Sequence, residues 1–166
     1  MGSGKTYLGK QLASKLGFLF VDVDSVIENT EGVTIAQLFD NQGETYFRII
    51  ESERLKGLSK WDEVIISTGG GAPCFHDNMD WMNAHGITVY LKTDPNLLLN
   101  RLKSETENRP LLRGKTDADL LDFIKNKVEE RTPFYEKAKI IVQQNEDGDE
   151  IIFEILKKIL DSRSSN

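Results

Sequence analysis

Four short apolar runs, separated by stretches with helical spacing, limit the folds open to this chain more than any other feature. "FLFVDVD" (18–24), "EVIIST" (63–68), "ITVYLK" (87–92) and "KIIVQQ" (139–144) read as strands. Between and after them lie segments whose apolar residues recur at helical intervals. "TYLGKQLASKLG" carries Leu8, Leu12, Ala13 and Leu16 and closes on Gly17. "TIAQLFDNQ" and "GETYFRIIESERLKGLSK" read as two helices joined at Gly43, and "NMDWMNAHG" as a third ending at Gly86. "DPNLLLNRLKSE" opens with Asp94 as N-cap and Pro95 in the first turn. "DADLLDFIKNKVEERTPFYEKA" is a long helix, and "DEIIFEILKKILDSR" sets Ile151, Ile152, Ile155, Leu156 and Ile159 on one stripe. Buried strands alternating with helices predict an α/β fold: three layers, with helices on both faces of a mainly parallel sheet.

In such a sheet, ligands sit at the carboxyl ends of the strands, and the unusual residues of this chain fall there. "MGSGKT" at the start reads as the second half of a phosphate-binding loop. Glycines at Gly2 and Gly4, around Ser3, let successive backbone N–H groups face one anion, and the helix that follows adds its positive end. Lys5 then reaches the β- and γ-phosphates of a nucleotide, and the Thr6 hydroxyl ligates Mg²⁺. Asp22 and Asp24 end the first strand two apart, so on an extended segment both carboxylates project from one face. One could hold Mg²⁺ through water while the other contacts an acceptor hydroxyl. "STGGGA" places Gly69, Gly70 and Gly71 after the second strand, where backbone can come close to a ligand. Arg48, Arg101, Arg109 and Arg131 are the arginines placed for bidentate recognition of carboxylate or phosphate.

Composition narrows the function classes. A chain of 166 residues suits one domain, spanning 1–166, that buries about 70% of its unfolded surface. A net charge of −6 leaves no excess of Lys and Arg for a phosphate backbone, so no nucleic-acid partner is expected. The single cysteine, Cys74, excludes an intrachain disulfide and a cysteine-based zinc site. His76 and His85 have neither triad nor metal spacing. No apolar run approaches 18 residues, so no membrane association and a cytoplasmic location are expected.

The set "MGSGKT", "DVD", "GETYFRIIE", "TGGGAP", "NRPLL" and "ERTPFYEKA", in this order and spacing, resembles the shikimate kinase family from Met1 to about Leu160. The resemblance implies a five-stranded parallel sheet of the P-loop NTPase, nucleoside monophosphate kinase-like type. It implies transfer of the ATP γ-phosphoryl group to the 3-hydroxyl of shikimate, with Mg²⁺ as cofactor, by a monomer. By the same resemblance Lys5 is the phosphate lysine, Thr6 the Mg²⁺ ligand and Asp22 the aspartate reaching Mg²⁺ through water. Asp24 holds the substrate hydroxyls and is the candidate base. Arg48, Arg131 and the backbone of Gly69, Gly70 and Gly71 form the carboxylate site, lined by Phe39 and Phe47, with Glu51 holding Arg48. Gly2, Ser3, Gly4, Lys5 and Thr6 cradle ATP, Arg109 is the lid arginine facing its phosphates, and Arg101 corresponds to an arginine that stacks on adenine. The shikimate-binding region covers about 24–60 and the lid about 108–120.

The family begins with an apolar strand and a complete phosphate loop, which this sequence lacks. That strand lies between the second and third strands read here. A chain folding without it is expected to leave two unpaired inner edges, a distorted sheet, a mobile phosphate loop and weakened ATP binding. Two other readings compete: a small-metabolite kinase of the same fold, resembling gluconate kinase, and a non-catalytic module binding nucleotide or shikimate.

Overall fold

The computed structural model describes residues 2–103, 116–144 and 149–164. They form two compact units, one of residues 5–86 and one of residues 2–4 with 87 onward. Among the described residues, no helix is long and apolar enough to cross a membrane.

The first unit alternates α1 (Lys5–Leu16), β1 (Leu19–Asp22), α2 (Val23–Glu31), α3 (Ile35–Gly57), β2 (Val64–Ser67) and α4 (Asn78–His85). β1 and β2 pair in parallel from Leu19↔Val64 to Asp22↔Ser67, so Asp22 and Ser67 finish side by side. Val23, Ile27, Leu38, Phe47, Ile50, Leu55 and Leu58 form a core cluster, against which Val21, Phe39, Ile66 and Trp81 pack. Thr34 starts α3 with a capping box, its hydroxyl accepting from the Gln37 N–H while Gln37 reaches back. The two helices expected around Gly43 are present within α3, meeting at a kink where Gly43 takes non-helical angles, φ 79° and ψ 170°. Only glycine takes that conformation without strain. Across the kink the Phe39 and Phe47 rings come to 4.6 Å between centroids.

The second unit contains β3 (Val89–Thr93), α5 (Pro95–Lys103), α6 (Asp117–Tyr135), β4 (Ile140–Gln144) and α7 (Asp149–Ser164). β3 and β4 are parallel, in register from Val89↔Ile140 to Thr93↔Gln144. Asp94 begins α5 as expected, accepting from the Asn96 N–H at 2.8 Å. Leu98, Leu99 and Leu102 pack on Leu120 and Ile124. Ile151, Ile152 and Ile155 of the α7 stripe are buried, along with Ile140 and Val142.

The architecture is α/β with parallel strands throughout. The strands form two separate parallel pairs, and among the described residues β2 and β3 each have a strand partner on one side only.

α2 is an element that the reading of "FLFVDVD" as one strand did not anticipate. The strand stops at Asp22, which takes extended angles and becomes the N-cap of α2, its carboxylate accepting from the Asp24 N–H at 3.1 Å. The two aspartates therefore do not project from one face of an extended segment. Asp22 stands at a strand end and Asp24 in the first turn of a helix. A short side-chain oxygen two residues before an unpaired helical N–H favours the cap over a longer strand.

Candidate active site

The phosphate loop and the helix behind it follow the sequence closely. Gly2 and Gly4 take positive φ, 68° and 74°, and α1 starts at Lys5. Thr6 donates its hydroxyl hydrogen to Asp22 Oδ2 at 3.0 Å, so the helix N-terminus and the end of β1 present a hydroxyl and a carboxylate together. Lys5 lies close enough to Asp24 to pull its carboxyl toward the charged form.

Asp24 is half-buried, and the burial outweighs Lys5: its carboxyl is held above the ordinary aspartate value, chiefly by desolvation. Asp22 and Glu28 push in the same direction, while Lys5 and Arg48 oppose. A carboxylate raised this way, and facing two cations, is better suited to take a proton than a surface aspartate.

Arg48 is buried on α3, and its charge is met from within the same helix. Nη1 donates to Glu51 Oε2 at 2.6 Å, while Nε and Nη2 donate to Glu44 Oε1 at 3.2 and 3.0 Å. The Glu51 side chain is fully buried and that of Glu44 is 58% exposed. Three rings surround the guanidinium: Phe39, Phe47 and Phe75 have centroids 5.9, 5.1 and 4.6 Å from Cζ.

The glycine run earns its place by close approach. A Cβ on Gly69 would sit 2.5 Å from Glu51 Oε1 and 3.2 Å from Asp24 Oδ1. One on Gly71 would sit 2.5–2.6 Å from the Arg48 guanidinium atoms. The run is therefore the floor on which Asp24, Glu51 and Arg48 converge. A 3-10 turn, Ala72–Cys74, carries the chain away from it.

In the second unit Arg101 Nη1 donates to the Gly2 carbonyl at 3.2 Å. Gln144, buried at the end of β4, completes that corner. With its amide nitrogen toward Thr93 Oγ1 and the Ser3 carbonyl, both at 2.9 Å, its oxygen accepts from Arg101 Nη2 at 3.2 Å. Arg131 stands half-buried on α6. Arg109 and most of the 108–120 lid region lie outside the described residues.

Of the expected site residues, the first unit thus gathers Lys5, Thr6, Asp22, Asp24, Phe39, Phe47, Arg48 and the three glycines, and the second holds Gly2, Ser3, Gly4, Arg101 and Arg131. Sequence reasoning missed Glu44, Phe75 and Gln144. Glu44 was discoverable, because four residues before Arg48 on a helix is ion-pair spacing. The other two carry no local signal.

Among the described residues no three His, Cys, Asp or Glu side chains gather as a metal cage. One hydroxyl and one carboxylate of protein still fit Mg²⁺, which keeps several waters and takes its other ligands from nucleotide phosphates.

The family model described as shikimate kinase matches residues 1–160. A shikimate kinase from Bacteroides fragilis is 48% identical over 141 residues, covering 85% of this chain and 79% of that protein. The crystal structure of shikimate kinase from Bacteroides thetaiotaomicron superposes with a TM-score of 0.89 at 43% identity, covering 97% of this chain and 94% of the other. That of the Acinetobacter baumannii enzyme, in complex with shikimate, gives 0.88 at 34% identity, covering 98% and 89%. With its phosphate loop, its raised aspartate and its caged arginine in the family's order, this chain belongs to the shikimate kinase family, ATP-dependent phosphotransferases of the P-loop NTPase fold.

Proposed function

We propose that this chain transfers the γ-phosphoryl group of ATP to the 3-hydroxyl of shikimate, yielding shikimate 3-phosphate and ADP. The observation that carries the reading is the floor of Gly69 and Gly71, with a caged arginine on one side and a desolvated aspartate on the other. Shikimate has one carboxylate and three hydroxyls, and it needs a cationic fork at one end and a hydroxyl acceptor at the other.

In this reading Arg48 and the Gly70 backbone take the carboxylate, and Arg131 serves as its second fork. Phe39 and Phe47 line the apolar side of the ring. Asp24 accepts the proton of the 3-hydroxyl as its oxygen attacks the γ-phosphorus, and the bond to the β-phosphate oxygen breaks. Phosphoryl transfer asks little covalent help of a protein, so positioning and cationic stabilisation dominate. Lys5 and the loop amides of Gly2–Thr6 hold the phosphates. Thr6 and, through water, Asp22 would hold Mg²⁺, which would supply charge neutralisation to the nucleotide phosphates. Arg101 lies along the adenine and Arg109 faces the phosphates from a lid. The chain works as a single kinase domain and a monomer in the cytoplasm.

The test is ADP release with Mg·ATP alone and then with shikimate added. Release that depends on shikimate, and is lost in Asp24→Asn, is expected. Turnover of ATP indifferent to shikimate, or greater with a polyol lacking a carboxylate, would overturn the substrate assignment.

A further inference from the structure

Arg48 is held by more than its helix. Two of the rings around it, Phe39 and Phe47, belong to α3 itself, and Phe47 is also part of the core cluster. The third, Phe75, comes from a separate segment, is 38% exposed, and yet has the shortest distance to Cζ, 4.6 Å. Phe75 is not part of the core cluster, so its location against a charged group calls for another cause.

The chain around Phe75 is built to keep it there. Asn78 is fully buried and ties the segment at three points. Its Nδ2 donates to the Ala72 carbonyl at 2.9 Å and its backbone N–H to the Phe75 carbonyl at 3.0 Å, while its Oδ1 accepts from Ser52 Oγ of α3 at 2.7 Å. The two residues after Phe75, His76 and Asp77, both have positive φ, 50° and 54°. Neither is glycine, and two strained residues in succession persist only where surrounding contacts over-determine them. Here the contacts fix the segment between the glycine floor and α4. The same turn brings Gly71 against the guanidinium, so Arg48 is approached by backbone and by a ring from one short stretch of chain.

We infer that Phe75 is a positioning residue for Arg48: stacked on the guanidinium, it fixes the plane in which the arginine's remaining N–H donors meet the substrate carboxylate. The inference rests on the reading of Arg48 as the carboxylate-binding arginine. A guanidinium free to turn would follow Glu44, whose exposed carboxylate already engages Nε and Nη2. The ring opposes that rotation by cation–π attraction and removes water from one side of the charge, which strengthens the bonds it makes. A leucine of similar hydrophobicity would also exclude water there but would supply no cation–π attraction to hold the guanidinium plane.

Steady-state kinetics of Phe75→Leu, Phe75→Ala and Phe75→Tyr test the inference. Leu and Ala are expected to raise the shikimate KM about five- to thirty-fold, the range of a partly desolvated cation–π contact. The ATP KM and kcat should stay near wild type, and Tyr should restore the shikimate KM. A Leu variant with wild-type shikimate KM, a Tyr variant as impaired as Leu, or a parallel change in both KM values would each overturn it. If the wild-type protein shows no shikimate-dependent turnover, the substrate reading fails instead. The Phe75–Arg48 contact is then decided by a substrate-free thermal-unfolding cycle of Phe75→Leu, Arg48→Met and the double variant, where measurable coupling supports it and additivity overturns it.

Discussion

Glu51 and Glu44 both neutralise Arg48, yet replacing them should have very different consequences. The Glu51 side chain is fully buried and that of Arg48 is 10% exposed, with 2.6 Å between Nη1 and Oε2. Glu51→Gln keeps the volume but removes the charge, leaving the buried guanidinium with the exposed carboxylate of Glu44 as its ion-pair partner and Asp24 acting on it from farther off. Removing one partner of a buried pair costs about 3–5 kcal/mol, and the surviving Glu44 contact argues for the lower end, about 3 kcal/mol. For a chain of this size that is a Tm fall of about 6–12 °C. Glu44→Gln removes an ion pair that water already screens and should cost about 0.5 kcal/mol or less. Thermal unfolding by circular dichroism, at low and high salt, separates the two. The Glu44 effect should fade with salt and the Glu51 effect should persist. Equal losses, or a Glu51→Gln variant as stable as wild type, would refute the account of Arg48 as a buried charge dependent on Glu51. A double variant, Arg48→Met with Glu51→Leu, should recover most of the stability while abolishing shikimate binding, because the burial cost is lost along with the pair.

Other outcomes follow from the same geometry. Asp24→Asn should lower kcat about 10²–10⁴-fold, the range for loss of a general base; in wild type the acid limb of the kcat/KM profile should fall at a pH above the ordinary aspartate range. Because the Asp24 carboxyl is raised in the folded state, its contribution to stability is complete below the unfolded pKa and is lost as pH rises through the folded one. Asp24→Asn should therefore be the more stable protein at neutral pH, and a denaturant series showing no gain there would contradict the burial. Gly71→Ala places a Cβ within 2.6 Å of the guanidinium, whose far end can shift at modest cost, so the shikimate KM should rise more than about tenfold; an unchanged KM would count against the floor as described. Thr6→Val deletes the hydroxyl that meets Asp22, and titration with Mg²⁺ should show a requirement raised about tenfold or more.

Much of this protein could be read from its order of residues, because helix and strand periodicity are local properties. The apolar runs at 19–22, 64–67, 89–93 and 140–144 are strands, and Asp94, Gly17 and Gly43 mark ends or a kink in helices as their chemistry requires. The Arg48–Glu51 pair was implied by the family resemblance, and the helix bears it out locally, since three residues apart on a helix means adjacent in space. The "DVD" segment was misread because strand and N-cap both begin with extended backbone. Only the geometry at Asp22, where the carboxylate turns back to the Asp24 N–H, decides between them.

What the sequence by itself determined was the α/β alternation, the phosphate loop and the inventory of charged and glycine residues that a carboxylate-bearing acceptor and a nucleotide would need. Tertiary structure decided how the strands pair, why Gly69 and Gly71 in particular must lack a Cβ, and that Phe75 meets a guanidinium 27 positions earlier in the chain. It also decided that Asp24 is desolvated enough to hold its proton more tightly. The division has one physical source. Backbone propensity and side-chain spacing act over a few residues, whereas burial, ring-on-cation contact and close approach depend on segments far apart in sequence, and those distances exist only once the chain has packed.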